Sequence, residues 1–212
     1  PGGGSYRAFG PALTFHVFSG NIPGVSVSSL IRALCVKSAS FGKTAAGEPY
    51  LAVCFCRALA QEDAELARCL AVSYWPGRSM DLEAVALEKA DAVVVYGSDE
   101  TVADIGGRVP TSTRFHAYPN RVGVAFVSRT ALVPKAGRTL AHALASDVVM
   151  FDQQGCVSPH TIYVQRGGAV APLELAERLA DALADLAEEI PRGSLSSGES
   201  SFIHQLRAQA EM

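Results

Sequence analysis

The sequence predicts an α/β protein built on a sheet that is largely parallel in its first part. Short β-rich runs alternate with helical patterns along the 212 residues, and such alternation marks helical crossovers between parallel strands. The composition, 49% hydrophobic and 18% charged, is ample for one large domain or parts of two. No internal repeat or low-complexity tract interrupts the pattern.

The elements follow in order. LTFHVF (13–18) is the first strand and VSSLIRALC (27–35) the first helix, after which CVKSASFGK (35–43) reads as a strand-like exit. EPYLAVCFCRALA (48–60) is helical, LAVSYW (70–75) a strand and LEAVALEKA (82–90) a helix. The apolar strand AVVVYG (92–97) passes through a Gly-Ser turn into a helix with Asp99 and Glu100 in its first turn. RFHAY (114–118), VGVAFVS (122–128) and TIYVQ (161–165) are strands, and RTLAHALASDVV (138–149) is a helix before the last of them. PLELAERLADALADLAEEI (172–190) has proline in its first turn and apolar residues at 3–4 spacing, which predicts an amphipathic helix. RGSLSSGES (192–200) reads as a flexible connector, and GESSFIHQLRAQAEM as a closing helix.

Composition excludes several roles. The net charge is −3 with no basic block, which argues against a nucleic-acid partner. No apolar run approaches the roughly 20 residues of a membrane span. The opening PGGGSYRAFGP lacks the shape of a signal peptide and an initiating methionine, and neither end marks a natural boundary, so a piece of a longer protein is expected. The five cysteines suggest reduced thiols in a cytoplasmic protein. Cys35, Cys54, Cys56 and Cys69 lie in apolar runs and are expected to pack in the interior. The Cys54–Cys56 pair has no nearby histidine or second cysteine pair to complete a zinc site, so no metal is expected.

Four segments carry candidate chemistry. In FSGNIPGVSVSSL (18–30) a strand ends, a turn presents Asn21, and a helix begins. The amide and the unpaired N–H groups of a helix start are both donors, although a turn asparagine with an N-cap serine accounts for the pattern as well. Lys37, Ser40 and Lys43 stand in the second segment, where a lysine reaches a ribose or phosphate, or is simply solvated. The third is the Gly97-Ser98 turn, where glycine permits close backbone approach and serine caps the helix. It is not G-x-G-x-x-G, and that fingerprint occurs nowhere in the chain. The fourth, FDQQGCVSPH (151–160), places Cys156 in a polar, glycine-flanked turn between helix and strand. A thiol there becomes a nucleophile when N–H groups or cations stabilise its thiolate, and is otherwise a bystander. A protease-like pairing with His142 or His160 is open on spacing.

Taken together and in order, HVFSGNIPGVSVSSLIRALCVKSASFGKTA, YGSDET and FDQQGCVSPHTIYV resemble the aldehyde dehydrogenase superfamily. Within it, they resemble the long-chain acyl-CoA (acyl-protein thioester) reductases of bacterial luminescence systems. The resemblance runs from about Phe15 to the C-terminus. It implies an aldehyde-dehydrogenase-like fold: a partial, Rossmann-like cofactor domain over residues 1–121 and the start of a catalytic α/β domain over residues 122–212. Asn21, with Pro23, matches the turn whose asparagine stabilises the oxyanion. Lys37 matches the lysine on the adenosine ribose, Gly97 and Ser98 the turn near the pyrophosphate, and Cys156 the nucleophile.

The departures from the family pattern are informative. NAD-preferring members carry a glutamate three residues after their lysine, and on this alignment that position is Ser40, with Lys43 close behind. A carboxylate would repel a 2′-phosphate by an order of several kcal/mol in a poorly solvated site, whereas serine and a cation would accept it, so the expected cofactor is NADPH. Oxidising members carry a Glu-Leu-Gly-Gly base segment, where this chain has HAYPNR (116–121) without a carboxylate. That favours reduction of a thioester over hydrolysis of the acyl-enzyme. The luminescence reductases have Tyr-Gly-His-Arg where Tyr118-Pro119-Asn120-Arg121 stands here, and the role of their histidine is not carried over.

The resemblance therefore implies NADPH-dependent reduction of an acyl-CoA or acyl-protein thioester to a fatty aldehyde through acyl-Cys156. It also implies acyltransferase and synthetase partner proteins and a homo-oligomer of the full-length protein. The rival expectations are an acylating aldehyde dehydrogenase using shorter acyl-CoA, and a cofactor-binding piece without turnover. With flanking parts of the family fold absent, the chain alone is expected to turn over negligibly and to self-associate through sheet edges.

Overall fold

A computed structural model describes residues 7–77, 79–135 and 137–210. The opening PGGGSY and the last two residues of the expected closing helix lie outside the described residues. The chain divides into two compact units, the first ending at Arg121 and the second beginning at Val122.

The first unit is a five-stranded sheet with order β3-β2-β1-β4-β5, formed by β1 (Leu13–Val17), β2 (Ala39–Thr44), β3 (Leu70–Tyr74), β4 (Ala92–Tyr96) and β5 (Arg114–Tyr118). Every neighbouring pair is parallel. The crossovers are α1 (Val25–Cys35), α2 (Leu51–Glu62) with the single turn α3 (Ala64–Ala67), α4 (Met80–Lys89) and α5 (Asp99–Gly106). The segment read as a strand-like exit is β2, whose buried positions are Ser40, Gly42 and Thr44, so its burial alternates without an apolar alternation in the sequence. α2 begins three residues later than the sequence pattern suggests, because the Glu48 carboxylate accepts the N–H groups of Tyr50 (3.0 Å) and Leu51 (2.7 Å).

Period-2 geometry sends Phe15 and Val17 of β1 to one face and Thr14 and His16 to the other. The first face joins Val93 and Val95 to Leu87 of α4, Ile105 of α5 and Trp75. The second receives α1 through Ser26, Ser29, Leu30 and Ala33, four sheet-facing positions at helical spacing, three of them small enough for close approach. A buried polar chain runs through this contact. Tyr96 donates to Ser29 Oγ at 3.2 Å, Ser29 Oγ lies 2.9 Å from His16 Nδ1, and His16 Nε2 lies 3.1 Å from Ser40 Oγ. With Ser29 accepting from Tyr96, its own proton is available to Nδ1, which leaves Nε2–H to donate to Ser40.

His16 is 1% exposed, and burial lowers its pKa from 6.5 to about 4. Between those values the unfolded chain binds a proton that the folded one refuses. The stabilisation is therefore complete above pH 6.5 and is lost as pH falls toward 4. The shift corresponds to about 3 kcal/mol. Thermal melts are expected to show this loss across the interval, and a His16→Gln variant should have a flatter profile there. An unchanged slope in the variant would remove His16 as its source.

The second unit pairs β6 (Gly123–Val127) with β7 (Pro159–Val164) in parallel. Packed on it are α6 (Gly137–Val149) and α7 (Pro172–Glu189), followed by α8 (Ser197–Ala210). Its core joins Val127, Leu132, Ala141, Leu144, Val170 and Leu175. Pro172 opens α7, where its missing N–H costs nothing. No helix among the described residues is long and apolar enough to cross a membrane.

The cysteines correct an expectation. Cys35, Cys54 and Cys69 are exposed, and Cys56 alone of the four is partly buried, packed beside Phe55 against Leu30 and Ala52. The 3.6-residue period explains the split: α2 buries Ala52, so Cys56 four residues on shares its face and Cys54 does not. Burial raises the Cys56 thiol pKa.

Candidate active site

Strand order reverses beside β1: β2 and β3 lie on one flank, and the chain then crosses to β4 on the other. In open parallel sheets, ligands bind outside the carboxyl ends of the strands at this reversal. The crossover helices α1, α2, α4 and α5 all begin on that side of the sheet, and α1 and α5 begin at the reversal itself, after the neighbouring strands β1 and β4. Asn21 is exposed in the bend after β1, directly before α1, whose N-cap Gly24 has φ 91°. Gly97 and Ser98 follow β4, and Ser98 Oγ accepts the Thr101 N–H at 3.2 Å, capping α5. Both helices therefore aim N–H groups and the positive end of their dipoles at the same edge.

The lysines separate. Lys43 pairs with Val17 near the carboxyl end of β2, at the edge that carries Asn21 and Gly97. Its Nζ lies 5.8 Å from the centre of the Trp75 ring. Burial lowers its pKa, and the Glu83 carboxylate opposes that shift. Glu83 is itself buried and held by Arg108 at 2.7 Å.

Lys37 sits in the turn before β2, exposed and with φ 62°. Six residues of strand rise put it roughly 20 Å from Lys43, at the amino edge of the sheet. The ribose role expected of Lys37 is thus corrected, because the structure places that residue at the wrong end. Ser40 is corrected as well: it is 2% exposed and bonded to His16, so a cofactor phosphate cannot reach it. Counted from Lys43, the position three residues on is Ala46, which is exposed.

Cys156 is exposed on a braced loop between α6 and β7. Ser158 Oγ donates to the Met150 carbonyl at 3.0 Å, and Gln153 Nε2 to that of Pro159 at 3.3 Å. Asp152 Oδ2 accepts the Gly193 N–H at 3.1 Å, which ties the loop to the connector after α7. A Cβ on residue 193 would sit 2.8 Å from that oxygen, so a larger residue there would make the Asp152 carboxylate shift. Phe151, Asp152 and Gln153 are all left-handed, with φ of 56°, 52° and 61°. On the other side, Gly123 of β6 passes so close to the Ser158 carbonyl that a side chain would collide with it. His142 and His160 are both exposed, on α6 and in β7.

The sequence reading missed Trp75 and the Asp152–Gly193 tie. A tryptophan closing a strand before Pro76-Gly77 was the available signal for the first. The second joins residues 41 apart and has no local signature.

The fold is that of the aldehyde dehydrogenases. An NAD-dependent aldehyde dehydrogenase from Burkholderia multivorans superposes with TM-score 0.69 at 17% identity, over 93% of this chain and 38% of that one. The indole-3-acetaldehyde dehydrogenase AldA of P. syringae, solved with NAD+, gives 0.68 at 19% identity over 82% and 34%. The chain belongs to the acyl-CoA reductase (LuxC) family, whose model matches residues 2–212. It is 27% identical over 203 residues to the long-chain acyl-protein thioester reductase of Aliivibrio fischeri, covering 94% of this chain and 41% of that protein. Against the Photobacterium leiognathi protein named long-chain acyl-protein thioester reductase 2, the identity is 25% over 160 residues, 74% and 33% of the two lengths. The chain thus spans about two-fifths or less of these relatives.

Proposed function

We propose that this chain carries the cofactor- and thioester-handling core of an NADPH-dependent reductase that converts long-chain acyl-CoA or acyl-protein thioesters to fatty aldehydes. The observation that carries the reading is the convergence of Asn21, Lys43 and the Gly97-Ser98 turn on one edge of the sheet, at its topological reversal.

That edge fits the cofactor. Lys43 offers a cation, two helix starts offer N–H donors, and Gly97 presents no side chain to a pyrophosphate. Position 46 is alanine, so the carboxylate that would repel a 2′-phosphate three residues after the lysine is replaced by a neutral methyl group, which favours NADPH over NADH. When bound, NADPH supplies the hydride.

The chain's own residues do the rest. The Cys156 thiolate attacks the thioester carbonyl, and the leaving thiol departs as the acyl-cysteine forms. The Cys156 N–H is the oxyanion donor nearest in the chain to the reacting thiol, and the Asn21 amide is given the oxyanion-donor role that the family pattern assigns to it. The segment 116–121 supplies no carboxylate base, so water is not activated toward the acyl-enzyme. After reduction, collapse of the hemithioacetal releases aldehyde and returns the thiolate.

The test is the acyl group itself. Intact mass should rise by one acyl increment on adding myristoyl-CoA and fall back when NADPH follows, with an equivalent of NADPH oxidised. A chain that binds NADPH but never gains the acyl mass would overturn the reading in favour of a cofactor-binding piece.

A further inference from the structure

The connector tied to the Cys156 loop also roofs a cavity that the chemistry above does not use. It has a volume of about 740 Å³, within the roughly 300–1,000 Å³ of small-molecule pockets. Its walls are Val148 and Val149 at the end of α6, Leu183 and Ala187 on α7, and Phe202 and Ile203 on α8. Gln153 and Gln154, three and two residues before Cys156, form part of its lining, and so does Asp152. The apolar walls are not sealed by the chain: Ile190 and Phe202 stay 51% and 60% exposed. Resting on the reading of Cys156 as the acyl carrier, we infer that this cavity receives the hydrocarbon tail of the acyl group.

The occupant follows from the lining and its place. Arg192, Glu199 and Arg207 also line the cavity but are exposed to solvent, so an alkyl chain laid along the Val, Leu, Phe and Ile walls leaves no polar group unpaired. Its polar end, the thioester, would lie toward the loop that bears Cys156. The tie from Asp152 to Gly193 holds the connector against that loop, so the cavity and the thiol-bearing loop form one continuous structure. Each methylene buried there should raise affinity about fourfold, making chain length the property that this cavity reads.

Two measurements on the whole 212-residue chain test this. The first uses cis-parinaric acid, a fluorescent fatty acid, on Cys156→Ala protein, where tail binding is read without the thiol. Binding is expected, and Ala184→Trp or Ala187→Trp, both at exposed positions of α7, should weaken it at least tenfold by filling the space. Binding that both tryptophan variants leave unchanged, or no binding at all, would overturn the inference.

The second compares methyl, hexyl and decyl methanethiosulfonates on the native cysteines. Reaction at Cys156 should quicken at least tenfold from methyl to decyl, with no such gain at the exposed Cys35 and Cys69. In the tryptophan variants the methyl rate should persist and the gain vanish. Tail binding that is blocked by tryptophan, with Cys156 inert to every reagent, would uphold the cavity and sink the assignment of Cys156 instead. A length gain of equal size at all exposed cysteines would sink the cavity.

Discussion

Peptide mapping after treatment with a long-chain acyl-CoA is expected to place the acyl group on Cys156, and Cys156→Ala should carry none. The contrast is sharp because exposure does not decide it: Cys35, Cys54 and Cys69 are exposed too. What separates Cys156 is a loop braced through Gln153, Ser158 and Asp152, whereas the other three lie at or near helices. An Asn21→Ala variant should form the acyl-enzyme about 10²–10³ more slowly, the usual cost of losing one oxyanion donor. Label on Cys54 or Cys69 with Cys156 bare would defeat the assignment.

Lys43→Ala is expected to weaken NADPH binding by roughly 10- to 150-fold, the range for a hydrogen bond to a charged group. Lys37→Ala should leave it within error. Fluorescence titration of the two variants side by side checks this directly. Because Lys43 is half-buried against Trp75, its charge is screened less by salt than that of a surface lysine. The loss should therefore persist at raised ionic strength. An effect confined to Lys37 would return the ribose role to the amino edge of the sheet and undo the argument from strand polarity.

These two lysines show where sequence reading stops. Alternation of strands and helices is written in local periodicity, so the parallel sheet and its crossovers were legible, as were the Ser98 cap and the polar setting of Cys156. The place of Lys37 was not. Whether a lysine stands before or after a strand depends on where β2 starts, and the residues ASFGKT of that strand carry no apolar alternation to mark its start. Ser40 failed for the same reason: its partner His16 lies on the neighbouring strand, and a contact across parallel strands has no sequence spacing of its own. The cysteines erred through residue type, since free cysteine is usually buried but helical phase overrides that tendency.

The left-handed run before Cys156 has a consequence for evolution under selection for stability. A left-handed backbone costs roughly 1–2 kcal/mol per ordinary residue, and Phe151 is a poor candidate to bear it. Glycine at 151 should therefore make the chain more stable, an uncommon outcome for an arbitrary substitution, whereas at 153 it would also remove the Gln153 bond to the Pro159 carbonyl. A fold that keeps Phe, Asp and Gln there has accepted a local deficit beside the proposed nucleophile. Such deficits gather where function restricts the backbone more than stability does. In a saturation library scored for heat resistance, gains should centre on position 151. Scored for thiol acylation, the same substitutions should rank among the losses. The two maps would then be mirror images at that residue.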